Sequence, residues 1–248
     1  MGLLDGKAAL VTGAGAGLGR AVALELAAEG AQVFAVSIVR AELDELAEIA
    51  GASSLPVEAV EADVGDEEDT QRVADLVLAR IGTLDVLVNN AGVIAVKPID
   101  ETAPDEWDRI LRTNLRGPYL YCRAFVPAMK RAQGGTIVNV TSMSGVKGFV
   151  GEAAYCPSKF GLEGLTKTLA LELAPWGIRV CSIHPGIAIQ TAMSESVYDD
   201  EARRAWVDPA EIAPAFSRLA ATTGLEISGG RFDAWQVARD GVPVTAGR

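Results

Sequence analysis

The chain is poor in the residues that build metal and redox centres. Its 248 residues hold one histidine, His184, and three cysteines, Cys122, Cys156 and Cys181. There is no Cys-x-x-Cys pair and no histidine cluster, so the ligand spacing of a zinc or haem site is missing. Three scattered cysteines make no disulfide framework and read as reduced core thiols. His184, with no second ligand beside it, reads as a loop or core residue. Aromatics are only 6% of the chain against 49% hydrophobic residues, so the core is aliphatic. Positive charge is scarce as well: 22 Lys and Arg face 33 Asp and Glu, a net charge of −11. That balance disfavours nucleic acid and anionic membrane as partners. No uncharged apolar run reaches the ~20 residues of a bilayer span. The opening MGLLDGKAALVTG lacks a basic stretch followed by an apolar one, so no secretory leader is expected. The expectation is a soluble, cytoplasmic protein without a metal.

What is present is a regular alternation. Short aliphatic runs at Ala8–Val11, Gln32–Val36, Val57–Val60, Val86–Val88, Thr136–Val140 and Arg179–Ile183 are separated by longer helical patterns. The helices are expected at about Arg20–Glu29, Arg40–Ala50, Glu67–Ile81, Pro104–Arg131 and through Lys159 to Leu173. Continuous Val/Ile/Leu runs, rather than alternating ones, imply strands buried on both faces of a parallel sheet. The expected fold is therefore α/β, a doubly wound parallel sheet between two helical layers, as one domain over 1–248. Such sheets bind ligands beyond the carboxyl ends of their strands. Every polar or glycine-rich cluster here follows an apolar run, so the clusters converge on one edge.

The first cluster is Thr12-Gly13-Ala14-Gly15-Ala16-Gly17-Leu18-Gly19, between the first strand and first helix. Glycines there allow a tight turn and close approach, and a helix N-terminus offers amides to a pyrophosphate. Further along, Tyr155 and Lys159 are spaced to share one helical face. An ammonium beside a phenol favours the phenolate and lowers the tyrosine pKa toward neutrality. A reversible proton donor of that kind suits carbonyl–alcohol interconversion. Pro157 between them is tolerable if the helix begins near Ala154, since first-turn amides have no intrahelical partner.

Together these residues resemble the short-chain dehydrogenase/reductase family. The pattern T-G-x-x-x-G-x-G, then Asn89-Asn90-Ala91-Gly92, Asn114, Ser142, Tyr155-x-x-x-Lys159 and Pro185-Gly186 occurs in the family's order over about residues 5–190. The resemblance implies that Tyr155 is the catalytic acid/base and that Lys159 lowers its pKa and holds the nicotinamide ribose. Ser142 would hold the substrate oxygen, and Asn114 would organise a water relay from Lys159. Gly13, Gly15, Ala16, Gly17, Leu18 and Gly19 would cradle the cofactor. Ser37, Arg40, Asp63, Val64 and Asn90 would border its adenosine half, and Ala91, Gly92, Tyr155, Lys159, Pro185, Gly186 and Ile187 would be further cofactor contacts. It further implies an NAD(P)-dependent oxidoreductase acting on a small secondary alcohol or ketone, a 3-oxoacyl-type carbonyl included, and a homodimer or homotetramer. Residues 94–97, 144–152 and 188–197 would surround the substrate. The rival reading is a catalytically silent nucleotide-binding scaffold of the same fold; the intact tetrad Asn114, Ser142, Tyr155 and Lys159 counts against it.

Three departures stand out. The end of the second strand carries Ser37-Ile38-Val39-Arg40, without the acid that binds the ribose hydroxyls of NAD. Ile38 and Ala16 stand where some NADP-preferring relatives place basic residues. The missing anion tips the expectation to NADP(H). The segment covering the substrate, about 188–210, is short. The tail Ser228-Gly229-Gly230-Arg231-Phe232-Asp233-Ala234-Trp235 is expected to replace the family's usual final strand, with Phe232 and Trp235 either closing the core or meeting another subunit.

Overall fold

The computed structural model describes residues 1–195, 197 and 206–243. Seven strands form one sheet: β1 (Ala8–Thr12), β2 (Gln32–Ser37), β3 (Val57–Glu61), β4 (Val86–Asn89), β5 (Gly135–Val140), β6 (Ile178–His184) and β7 (Arg231–Asp233). Their order is β3-β2-β1-β4-β5-β6-β7, and every neighbouring pair is parallel. The order reverses direction between β1 and β4, which opens the crevice where such sheets take ligands.

Successive residues of β1 show why its run reads as continuously apolar. Ala9 and Val11 join one buried cluster with Val22, Leu26, Phe216 and Leu219. Ala8 and Leu10 join the other, with Phe34, Tyr121, Phe125 and Leu173. Both faces of the sheet are therefore covered. The covering helices are α1 (Gly17–Ala28), α2 (Arg40–Ala52), α3 (Glu67–Ile81), α4 (Pro104–Leu111), α5 (Gly117–Ala132) and α6 (Tyr155–Leu173). Later come the short α7 (Ala192–Glu195), then α8 (Pro214–Ala221) and α9 (Ala234–Asp240).

Boundaries follow local chemistry. Helix α3 starts where Asp66 accepts hydrogen bonds from the Glu68 and Asp69 amides, which satisfies donors the helix itself leaves unpaired. Helix α1 begins at Gly17, three residues before its expected start, because the last turn of the glycine loop is already helical. The expected helix over Pro104–Arg131 is present but contains a five-residue π turn, Arg112–Arg116, between α4 and α5.

The tail differs from expectation. Residues 231–233 form the strand β7, paired to β6 through Ser182–Arg231, Ile183–Phe232 and His184–Asp233. Three residues beside two glycines are too short a run to show a strand pattern. Phe232 lies in the core, and Trp235 packs partly buried against the same cluster with Arg239 over its ring. Among the described residues no helix is long and apolar enough to cross a membrane.

Candidate active site

The glycine loop leaves β1 at the crevice. Gly13 and Gly17 take positive φ, +64° and +52°, which side-chain-bearing residues rarely adopt. A Cβ on Gly13 would lie 2.7 Å from the Ala91 Cα. The two loops are thus packed backbone to backbone. Thr12 and Asn90 lock them: the Thr12 hydroxyl accepts from the Asn90 and Ala91 amides at 3.0 and 3.1 Å. Asn90 Nδ2 donates to the Thr12 and Gly13 carbonyls. No side chain caps the N-terminus of α1, whose cap residue is Ala16. A side-chain-free cradle ending in uncapped helix amides fits a pyrophosphate.

Helix α6 begins at Tyr155, with Ala154 as its cap residue, so Pro157 sits in the first turn as expected. Tyr155 is buried, and the Lys159 Nζ stands 5.6 Å from its ring centroid. Lys159 is only 3% exposed and donates to the Val140 carbonyl at 2.9 Å. Burial pulls its pKa down to about 8, while Glu163, one turn further along α6, pulls it up. The group is therefore an ammonium at neutral pH, close to titrating.

Asn114 is fully buried in the π turn. Its Oδ1 accepts from the Val93 amide at 2.8 Å, and its Nδ2 donates to the Val93 carbonyl and the Ser158 hydroxyl. A side chain built on Gly92 would lie 3.5 Å from Asn114 Oδ1 and 3.6 Å from Lys159 Nζ. Gly92 thus leaves open the space that both groups border. π turns inside α-helices frequently mark functional sites, because they re-aim one side chain.

Ser142 follows β5 and caps a single 3₁₀ turn, Met143–Gly145, its Oγ accepting from the Ser144 amide at 3.1 Å. A network beneath it was not legible in the motifs. Arg231 donates to the Ser142 carbonyl and to Glu163 Oε1, each at 3.0 Å. The other Glu163 oxygen accepts from the Ser182 hydroxyl at 2.7 Å. Asn89, Asn139 and Thr166 form a second chain, joining β4 and β5 to α6 by 2.8 Å bonds. Glu163 was findable, since it lies four residues beyond Lys159 on the same helical face. An acid there is buried and needs a partner.

Pro185 and Gly186 follow β6. Gly186 has φ +76°, and a side chain on it would collide with Asp233. The Pro185 carbonyl accepts from the Trp235 amide at 3.1 Å, so the tail holds this turn. His184 is buried, and its Nδ1 accepts from the Gly186 amide at 3.1 Å. Burial first, and the Arg231 charge second, lower its pKa. Ile187 continues toward Ile189, which bridges Val207.

On the adenosine side, Ser37 is buried, and its Oγ accepts from the Val39 amide at 3.2 Å. Arg40 is bonded to Asp44, one turn on, at 2.8 Å. The loop's Leu18 is buried. Asp63 makes a turn to the Gly65 amide and an ion pair with Arg112 at 3.0 Å; Val64 beside it is buried against Gly117. Residues 94–97 and 149–152 meet, as the Lys97 amide donates to the Gly151 carbonyl at 2.8 Å. Thr191 lies against Gly17, its Cγ2 3.1 Å from where a Cβ would stand. The expected covering segment, 188–210, and the 188–197 wall fall partly outside the described residues, at 196 and 198–205.

Residues 7–202 match the model of a family described as short chain dehydrogenase. The trans-4-hydroxycyclohexanecarboxylate dehydrogenase of Sinomonas cyclohexanicum is 41% identical over 194 residues, 76% of this chain and 74% of that protein. The crystal structure of 3-ketoacyl-(acyl-carrier-protein) reductase from Brucella melitensis, complexed with NADH, is 32% identical with a TM-score of 0.86. It covers 93% of this chain and 97% of its own. That of a metagenomic short-chain oxidoreductase in complex with NADP is 33% identical, with a TM-score of 0.81 over 93% and 97% of the two chains.

Proposed function

Because this chain belongs to the short-chain dehydrogenase family, whose curated relatives here are dehydrogenases acting on CH–OH groups, we propose that it interconverts a secondary alcohol and a ketone, with Tyr155 as acid/base. The observation that supports this reading is the buried Lys159 ammonium standing 5.6 Å from the Tyr155 ring. A nicotinamide dinucleotide, when bound, supplies or accepts the hydride.

The chain's own residues handle the proton and the charge. In the reducing direction the Tyr155 phenol gives its proton to the carbonyl oxygen; in the oxidising direction the phenolate takes it from the alcohol. Lys159 keeps the phenolate accessible by placing positive charge beside it. The Ser142 hydroxyl donates to the same oxygen and stabilises its alkoxide character. Asn114 holds the Val93 backbone and Ser158 together beside Lys159, where a proton path to solvent would pass. The backbone of Gly13 to Gly19 would hold the pyrophosphate, and Pro185 to Ile187 would contact the dinucleotide. Asp63, Val64 and Asn90 to Gly92 would also border it.

The substrate carries an apolar body. Val96, Met143, Val146, Phe149 and Val150 are all exposed on the segments that ring this crevice, with Val150 at 99%. Lone exposed apolar side chains are common; five on two segments joined by the Lys97–Gly151 hydrogen bond favour an apolar partner. A cyclic or acyl alcohol suits them. Assembly as a homodimer or homotetramer through α6 and its neighbour is supported by exposed Tyr119, Phe160 and Leu171 on α5 and α6.

The test is a panel of cyclic, steroid-like and 3-oxoacyl ketones with NADH and NADPH, using the parent protein and Tyr155→Phe. The variant should lose about 10²–10⁴-fold in turnover, the usual scale of one acid/base group, while binding dinucleotide as before. Unaltered turnover in Tyr155→Phe would remove Tyr155 from the mechanism.

A further inference from the structure

Another element brings an acid beside the end of β2. Helix α2 starts only three residues after Ser37, and its first turn carries Glu42. A methyl group built on Gly15 would lie 2.5 Å from Glu42 Oε2, 2.8 Å from Glu42 Cβ and 2.8 Å from Ser37 Oγ. The carboxylate and the hydroxyl therefore converge on one face of the glycine loop. That is where the end of β2 meets the loop, beside the adenosine ribose in a fold of this kind.

We propose that Glu42 selects the dinucleotide, accepting a hydrogen bond from the ribose 2′-hydroxyl and disfavouring a 2′-phosphate, so that the protein prefers NAD(H) to NADP(H). The proposal rests on the dinucleotide-dependent reading above and sharpens its cofactor. A hydroxyl donates to a carboxylate, whereas a phosphate dianion in the same place meets like charge.

The cations of the neighbouring helices do not offset this. Helix α1 has one, Arg20, whose Nε donates to the Gly15 carbonyl at 2.6 Å and whose Nη2 pairs with Glu45 at 2.9 Å. Helix α2 has one, Arg40, paired with Asp44. Each guanidinium thus already faces a carboxylate, and Glu42 adds a further negative charge. The NADP(H) preference expected from the missing acid at the end of β2 assumed a position clear of anions. The fold brings an anion there from five residues further along the chain. Gly15 is part of the same arrangement, because any side chain at that position would displace Glu42.

Dissociation constants for NADH and NADPH, read by nucleotide fluorescence on binding, test the proposal, with melting-temperature shifts as a second readout. They are measured for the parent protein, Glu42→Gln and Glu48→Gln, the last an exposed acid further along α2. Glu42 is only half-buried on a helix surface, so the isosteric amide should fold, as circular dichroism would verify. The parent is expected to bind NADH about tenfold or more tightly than NADPH, a difference of about one decade. Glu42→Gln should bring the ratio to within about threefold by the same scale, and Glu48→Gln should leave it as in the parent. A parent that binds NADPH equally or better, or an unchanged ratio in Glu42→Gln, overturns the role of Glu42 and leaves the dinucleotide reading standing. A folded parent that binds neither nucleotide overturns both.

Discussion

Arg231 reaches across 89 residues of sequence to hold the backbone carbonyl of Ser142 at 3.0 Å. The same guanidinium bonds Glu163 on α6, the helix that presents Tyr155 and Lys159. One side chain of β7 therefore ties the serine loop to the tyrosine helix.

Replacing Arg231 with Lys keeps the charge and loses the planar fork that serves two acceptors at once. The expected outcome is a fall of about tenfold in kcat, the cost of roughly 1.4 kcal/mol in transition-state positioning, with the dinucleotide dissociation constant unchanged. Steady-state kinetics and nucleotide titration on one preparation check this. Equal losses in kcat and nucleotide affinity would show a general loosening instead.

Lys159 trades stability for chemistry. Its ordinary pKa of 10.5 drops to about 8 on burial. Between those values the unfolded chain holds a proton that the folded chain has released, so stability rises with pH across that window. Below pH 8 the buried charge costs about 3 kcal/mol gross at 1.36 kcal/mol per pKa unit. Lys159→Met removes that cost and forfeits a hydrogen bond to Val140 worth about 1 kcal/mol. The inactive variant should melt a few degrees above the parent at pH 7, at about 2–4 °C per kcal/mol. That gain should shrink at pH 10. A lower melting temperature at pH 7 would contradict the burial argument.

His184 is held neutral by burial and by the Arg231 charge, against smaller pulls from Asp233 and Glu163. Its folded pKa lies below the ordinary 6.5, so on acidification the unfolded chain takes the proton first. Stability is thus intact above pH 6.5 and declines below it. Protonation also ends the Nδ1 acceptance from the Gly186 amide. In urea unfolding, His184→Gln should lose less stability than the parent between pH 7 and pH 5. Identical slopes would assign the acid sensitivity to other groups.

Much of this was legible from period and punctuation. The runs that became β1 to β6 are continuously apolar, because both faces of the sheet are covered. Tyr155 and Lys159 share a face because α6 begins where Pro157 permits. What escaped depends on contacts between distant segments. Strand β7 is three residues long and needs β6 to exist. The π turn at Asn114 leaves no mark in hydrophobic period. Glu42 reads as one of many surface acids until α2 turns back against Gly15. Arg231 and Glu163, 68 residues apart, acquire meaning only when β7 lies beside β6.

The bridge between Ile189 and Val207 has a consequence for how such a protein diversifies. The Gln190 amide donates to Val207 and the Val207 amide to Ala188, at 2.9 and 3.1 Å. The chain is clasped at that point, with Ala188 and Gln190 on one side joined to Val207 on the other. Lengthening the chain between two points that are already joined costs little, about 0.6 kcal/mol per doubling. An insertion between those two anchors is therefore expected to leave Tyr155 and Lys159, on α6, where they are.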